Sequence, residues 1–138
     1  MAKKNAAQPH RKIVARIPKA QFEKDLTKYC DSAMEMGATR TKIIASSDII
    51  IDERVRAKCT YPKCRFHGTN VHCPPYAMEL PDVRLLLGKY EHGIFIDIEV
   101  TTDVLAGPNT LKDRAYVPSG LNAYKIVGKI EADAFYDG

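Results

Sequence analysis

Three cysteines fall within fifteen residues, in the run Cys59-Thr-Tyr-Pro-Lys-Cys64-Arg-Phe-His-Gly-Thr-Asn-Val-His-Cys73-Pro-Pro. Thiolates are soft ligands, and a short loop that gathers them suits zinc or an iron–sulfur cluster better than a hard, oxygen-seeking cation. His67 and His72 lie inside the same loop and extend the donor set. The spacing C-x4-C-x8-C-P-P departs from the tight ligand pairs of structural zinc sites. Wider spacings, and a proline directly after a cluster cysteine, occur in iron–sulfur proteins. Three thiolates on a 4Fe-4S cluster leave one iron open to water, to substrate or to a ligand from elsewhere. On the zinc reading, His67 or His72 completes the coordination. Cys30 is a further thiol, but it follows Leu26 by four residues and adjoins Tyr29, so it reads as a small core residue.

The residues around the thiols are basic: Arg54, Arg56, Lys58, Lys63 and Arg65. Positive charge there offsets thiolates and cluster sulfides, and Arg56, Lys58 and Lys63 are placed to tune a reduction potential. Nucleic acid is a disfavoured partner, because base-stacking aromatics are not interleaved with these charges. Tyr61 and Tyr76 flank the motif and are expected either to shield it from water or to pack in the ordinary way. No catalytic triad and no phosphate-binding glycine loop is present. Asp97 and Glu99 alternate with apolar residues and mark the polar face or edge of a strand. Catalysis would therefore rest on an open cluster iron acting as a Lewis acid, with His67 or His72 as general acid or base. Whether the chain is an enzyme stays open; an accessory role is the favoured reading.

Composition sets the frame for this loop. A chain of 138 residues suffices for one domain with a real core. Its 45% hydrophobic and 28% charged residues are those of a soluble globular protein. No apolar run is long enough to span a bilayer, and the basic start MAKKNAAQPHRK has no apolar stretch behind it, so it is not a secretory signal. The default location is the cytoplasm, where disulfides are uncommon and clustered cysteines turn to metal or redox roles.

The elements that must position the loop are readable in outline. Residues 1–12 form a polar, basic tail expected to be disordered, and residues 13–138 a single metal-binding domain with its cysteine loop at 59–76. Residues 13–17 suggest a first strand. Pro18 suits a helix start, and Phe22, Leu26, Tyr29, Ala33 and Met36 follow at helical spacing up to Gly37. Residues 39–45 are β-branched and apolar enough for a strand, followed by a turn at 46–48. Ile49, Ile51, Val55 and Ala57 alternate with polar residues, which predicts a second strand delivering Cys59. The loop at 59–76 is too long to lie structureless in a compact domain unless something such as a metal centre organises it. Residues 80–87 predict a helix, and 93–100 a central strand. A loop over 101–120 and a final helix with Ala123, Val127, Ile130, Ala134 and Phe135 on one face complete the chain. The fold class is α/β or α+β, a small mixed β-sheet covered by about three helices.

Several of these segments carry a resemblance. Met34-Glu-Met-Gly-Ala38, the run Asp48-Ile-Ile-Ile-Asp-Glu-Arg-Val-Arg-Ala-Lys-Cys59, then Cys64, Gly68 and Cys73-Pro-Pro-Tyr76 resemble the uncharacterised prokaryotic "predicted metal-binding protein" family, a domain of unknown function common in anaerobes. The similarity runs from about the first helix to the last. It implies a metal centre with Cys59, Cys64 and Cys73 as ligand candidates, and an anaerobic setting. Family members typically continue past the helix at 122–135 into a second cysteine cluster, whereas this chain ends first. A short variant, an incomplete C-terminus or a partner chain supplying the remainder would each account for that.

Together these observations favour a small iron–sulfur protein, an accessory or electron-transfer subunit of an anaerobic redox complex. A structural zinc site on an interaction module is the alternative, and an enzyme built on an open cluster iron is the third reading.

Overall fold

The structure, a computed structural model, describes residues 17–107 and 116–137. They form an α+β arrangement in which a two-stranded antiparallel sheet accompanies five α-helices. The small sheet with helices over it agrees with the expected class. The described strands pair only with each other, so the sheet is antiparallel rather than mixed. The tail at 1–12 and nearly all of the strand expected at 13–17 lie outside the described residues. The chain divides into two compact units, one comprising the residues up to Ile43 and from Ile94 onward, the other Ile44–Gly93.

Helix α1 (Lys19–Glu35) opens the first unit. Pro18 accepts from the N–H groups of Gln21 and Phe22 at 2.9 and 3.0 Å, satisfying donors that a helix start leaves over. The exit is a Schellman closure around Gly37 (φ 101°): Ala38 N–H donates to Ala33 O, and Gly37 N–H to Met34 O, both at 3.0 Å. Ala33 and Ala38 are both buried, the apolar contact that accompanies this motif. Strand β1 (Arg40–Ala45) follows, paired with β2 (His92–Asp97). Thr39 N–H donates to Asp97 O at 2.8 Å, and the Arg40 guanidinium meets the Asp97 carboxylate at 2.5 Å.

Two expectations about these elements change. The apolar run at 93–100 is not a central strand, since β2 has only β1 beside it among the described residues. Ile94, Ile96 and Ile98 pack against the core while Phe95 is exposed on the face it shares with Asp97 and Glu99, so the run is half-buried, and Phe95 alone makes its first half look continuously apolar. Residues 101–120 are not all loop either: α4 (Thr102–Ala106) lies within them, and α5 (Val117–Asp137) starts early, with Pro118 in its tolerant first turn.

The core of this unit is Tyr29, Ala33 and Ala38 with Ile126 and Ile130 of α5, which packs on α1. The inner stripe of α5 runs Asn122, Ala123, Ile126, Ile130, Asp133 and Asp137, not along Val127, Ala134 and Phe135, which are exposed. Two aspartates occupy the inner stripe because they have partners. Asp133 pairs with Lys129, and Asp137 accepts from Tyr29 Oη at 3.0 Å and from Lys28 Nζ at 2.5 Å. A reading by apolarity alone therefore slips by one position.

The second unit begins with a 3-10 turn at Ser46–Asp48. The segment expected to be a strand at 49–58 instead becomes α2 (Glu53–Ala57). Asp52 caps it: its side chain accepts from Arg54 N–H at 2.7 Å, the bond that starts a helix and that an alternating strand cannot make. Helix α3 (Leu80–Leu87) closes the unit, with Pro81 in its first turn and Gly88 at its end.

Candidate metal centre

Cys59 leaves the end of α2 with its N–H on Arg56 O at 3.0 Å. The chain then descends through a series of tight turns. Cys64 N–H donates to Cys59 O, His67 N–H to Cys64 O, and Cys73 N–H to Asn70 O, at 3.0, 3.0 and 3.1 Å. Cys73 O in turn accepts from Tyr76 N–H at 3.0 Å and from Ala77 N–H at 3.1 Å. Each of the three cysteines thus has both its backbone N–H and its carbonyl engaged. The backbone is fixed at each thiol and the sulfur is left over.

Two further contacts close the loop on itself. Gly68, at φ 78°, donates to Pro74 O at 2.7 Å, which joins the middle of the loop to its last cysteine. That left-handed conformation is open to glycine without penalty. Asn70 Oδ1 accepts from His72 N–H at 2.9 Å, an Asx turn that sets up the approach to Cys73. Pro74 is buried.

Arg56 joins the two ends. Its guanidinium donates to Glu79 Oε1 at 3.0 Å and lies 3.4 and 3.5 Å from the carbonyls of Met78 and Ala77. One side chain on α2, three residues before the first ligand candidate, therefore holds the segment that follows the last. A second pair parallels it, because Arg84 on α3 binds Glu53 on α2. Arg84 holds the Glu53 carboxyl below its ordinary range, and Arg54 does the same to Asp52.

The sequence-predicted residues fall out as follows. Cys59, Cys64 and Cys73 are free thiols, each half-buried, and all lie in this loop. His67 is half-buried one turn beyond Cys64, whereas His72 is exposed. Cys30 is half-buried on α1 in the other unit. Tyr61 and Tyr76 are 82% and 65% exposed, so neither shields the thiols nor packs in a core. Arg56, expected to act as a nearby charge, also ties the two ends of the loop together. Lys58 and Lys63 are exposed and have no carboxylate partner among the described residues, and Arg65 lies over the Phe66 ring at 4.6 Å. The residues that sequence reasoning missed are Glu79 and Asn70, neither of which carries a metal signature; Asn70 before His72 carries only the signal of an Asx turn.

The donor set suits a soft metal: three unpaired thiols, an adjacent imidazole and cationic neighbours. No three His, Cys, Asp or Glu side chains among the described residues stand together as a ligand group.

A cysteine loop of this kind, set between two short helices, defines a candidate thiolate metal centre. Residues 42–138 match the predicted metal-binding protein family DUF2284, and the chain belongs to that family. The match begins inside β1, so Met34 to Ala38 lie outside it. No curated protein and no solved structure matches the chain. None of the helices among the described residues is long and apolar enough to cross a membrane.

Proposed function

We propose that Cys59, Cys64 and Cys73 are the thiolate ligands of an iron–sulfur cluster, a 4Fe-4S centre being the favoured form. The observation that carries this reading is the treatment of the three cysteines. In a loop of a predicted metal-binding family, all three are free and half-buried, with their backbones pinned and their sulfurs unspent. Such a cluster, when bound, supplies one-electron transfer. The chain's own contribution is to hold three peptides in fixed turns, to close the loop ends through Arg56 and Glu79, and to set the exposed Lys58 and Lys63 directly before Cys59 and Cys64 in the chain.

The function that follows is an accessory or electron-transfer protein acting with a protein partner or a larger redox complex, in a reducing, cytoplasmic and anaerobic setting. Exposed lysines around a redox centre favour electrostatic encounter with such a partner. Replacing Cys59, Cys64 and Cys73 by serine one at a time, in protein produced without oxygen, tests the ligand set. Each substitution is expected to lower bound iron and acid-labile sulfide sharply, whereas Cys30→Ser leaves both unchanged. Full iron content in all three loop variants would remove the proposal.

One observation supports a second reading. His67 follows Cys64 by a single turn and is half-buried, so a structural zinc site would use it rather than His72. Zinc retained by the wild type and lost in His67→Ala would favour that alternative.

A further inference from the structure

Beside α3, the second unit holds a cavity of about 390 Å3. Ile49, Ile51 and Leu87 form its apolar lining, and Arg84, Ser47 and Tyr90 its polar lining. It is a cleft open to solvent that mixes apolar and polar side chains, with a volume in the range of roughly 300–1,000 Å3 that small-molecule sites present.

Arg84 is the only charged residue in the lining, and its geometry is informative. Its Nη2 donates to Glu53 Oε1 and to Ile51 O, the latter at 3.3 Å. Those bonds use one of the three guanidinium nitrogens. Nε and Nη1 have no partner among the described residues. A guanidinium held at one nitrogen and open at the other two is a pre-oriented planar donor, the arrangement that recognises a carboxylate. Ser47 and Tyr90, which carry neutral hydroxyl groups, belong to the same lining. A single cation, partly offset by Glu53 and set beside Ile49, Ile51 and Leu87, suits a monoanion with an apolar body better than a multiply charged phosphate.

We propose that this cavity binds a small organic monocarboxylate, its carboxylate on Arg84 and its apolar body against Ile49, Ile51 and Leu87. The site is independent of the metal proposal and stands whether or not the cysteine loop binds iron. Glu53 and the ligand share one guanidinium, so the charge on Glu53 weakens ligand binding.

The test is calorimetric titration of the full chain with octanoate, benzoate, octan-1-ol and inorganic phosphate. Saturable carboxylate binding is expected, with octanol and phosphate each at least about tenfold weaker. Arg84→Gln is expected to weaken octanoate at least about tenfold, and Glu53→Gln to tighten it several-fold. Should Arg84→Gln fail to fold, Glu53→Gln and the alcohol comparison decide the matter, since both leave the arginine in place. Absence of saturable carboxylate binding at millimolar concentration would overturn the proposal. So would octanol equal to octanoate, phosphate tighter than either acid, or a Glu53→Gln affinity that is unchanged or lower.

Discussion

Arg56 on α2 and Glu79 at the start of α3 meet at 3.0 Å across the whole cysteine loop. Between them lie all three ligand candidates, and from Arg54 to Met78 there is no carboxylate at all. Glu79 is therefore the first acid the chain offers to this basic segment after α2 begins. The Arg56 side chain is 23% exposed and also faces two carbonyls, so the contact is more than a surface ion pair.

Arg56→Ala is expected to destabilise the protein by about 1–2 kcal/mol, the range for losing a charge-assisted hydrogen bond in a partly covered site. Glu79→Gln, which removes an exposed charge but keeps an acceptor, is expected to cost less than about 1 kcal/mol. Urea unfolding midpoints measure both. Limited proteolysis adds a local reading: Arg56→Ala is expected to hasten cleavage between residues 59 and 76 while leaving α1 and α5 protected. Equal cleavage in wild type and variant would show that the clamp does not hold the loop.

Glycine substitutions separate conformation from contact. Gly68 lies at φ 78° with only a Pro75 carbon at 4.0 Å from an added methyl, so Gly68→Ala strains the backbone without a clash. It is expected to destabilise by about 1 kcal/mol. Gly128 sits within α5 with open space around it, and Gly128→Ala is expected to stabilise by roughly 0.5–1 kcal/mol. Thermal or urea melts of the two variants, moving in opposite directions, check the pair.

Tyr29 gives a pH signature. Burial first, and then its hydrogen bond to Asp137, push the phenol well above its ordinary value of 10.0. A folded-state pKa above the unfolded one favours the protonated form in the folded state. Its contribution is complete below pH 10.0 and declines as pH rises past that value toward the folded pKa. The wild type is therefore expected to lose stability at alkaline pH. Tyr29→Phe starts about 1 kcal/mol lower at neutral pH and declines less steeply. Parallel pH-dependent slopes for the two proteins would contradict this.

The acid limb has the opposite sign. Arg54 and Arg84 hold Asp52 and Glu53 below the ordinary values of 3.8 and 4.5. Their contribution is present above those values and disappears as pH falls through the lowered ones. Asp52 is half-buried and Glu53 exposed, and both pairs lie at the surface, so the effect is small and is expected to weaken in high salt. Acid titration of the helical signal at low and high ionic strength measures it.

The parts of this fold that were legible in the sequence are those where apolar spacing and punctuation agree. Pro18, the run from Phe22 to Met36 and Gly37 bracket α1 correctly, and Pro81 and Gly88 do the same for α3. The cysteines announced their loop by residue type alone. Two of the failures, the strand at 49–58 and the inner stripe of α5, share a physical cause, which is polar side chains acting structurally. Asp52 turned an apparently alternating strand into α2, and Asp133 and Asp137 carried the inner stripe of α5 where apolarity pointed elsewhere. The loop itself was expected to need an external organiser, yet Gly68, Asn70 and a chain of turn hydrogen bonds arrange its backbone. Only residue-by-residue hydrogen bonding distinguishes such a segment from coil. Its three thiols are left free.

The measurement that bears most directly on the thiolate centre is elemental analysis of the wild-type protein, purified and reconstituted with iron and sulfide without oxygen, beside its visible absorption spectrum. A brown protein with iron and acid-labile sulfide in comparable amounts, bleaching on exposure to air, is the predicted result. A colourless protein that takes up neither iron nor sulfide, and whose three loop cysteines all react freely with a thiol reagent after reconstitution, would contradict it.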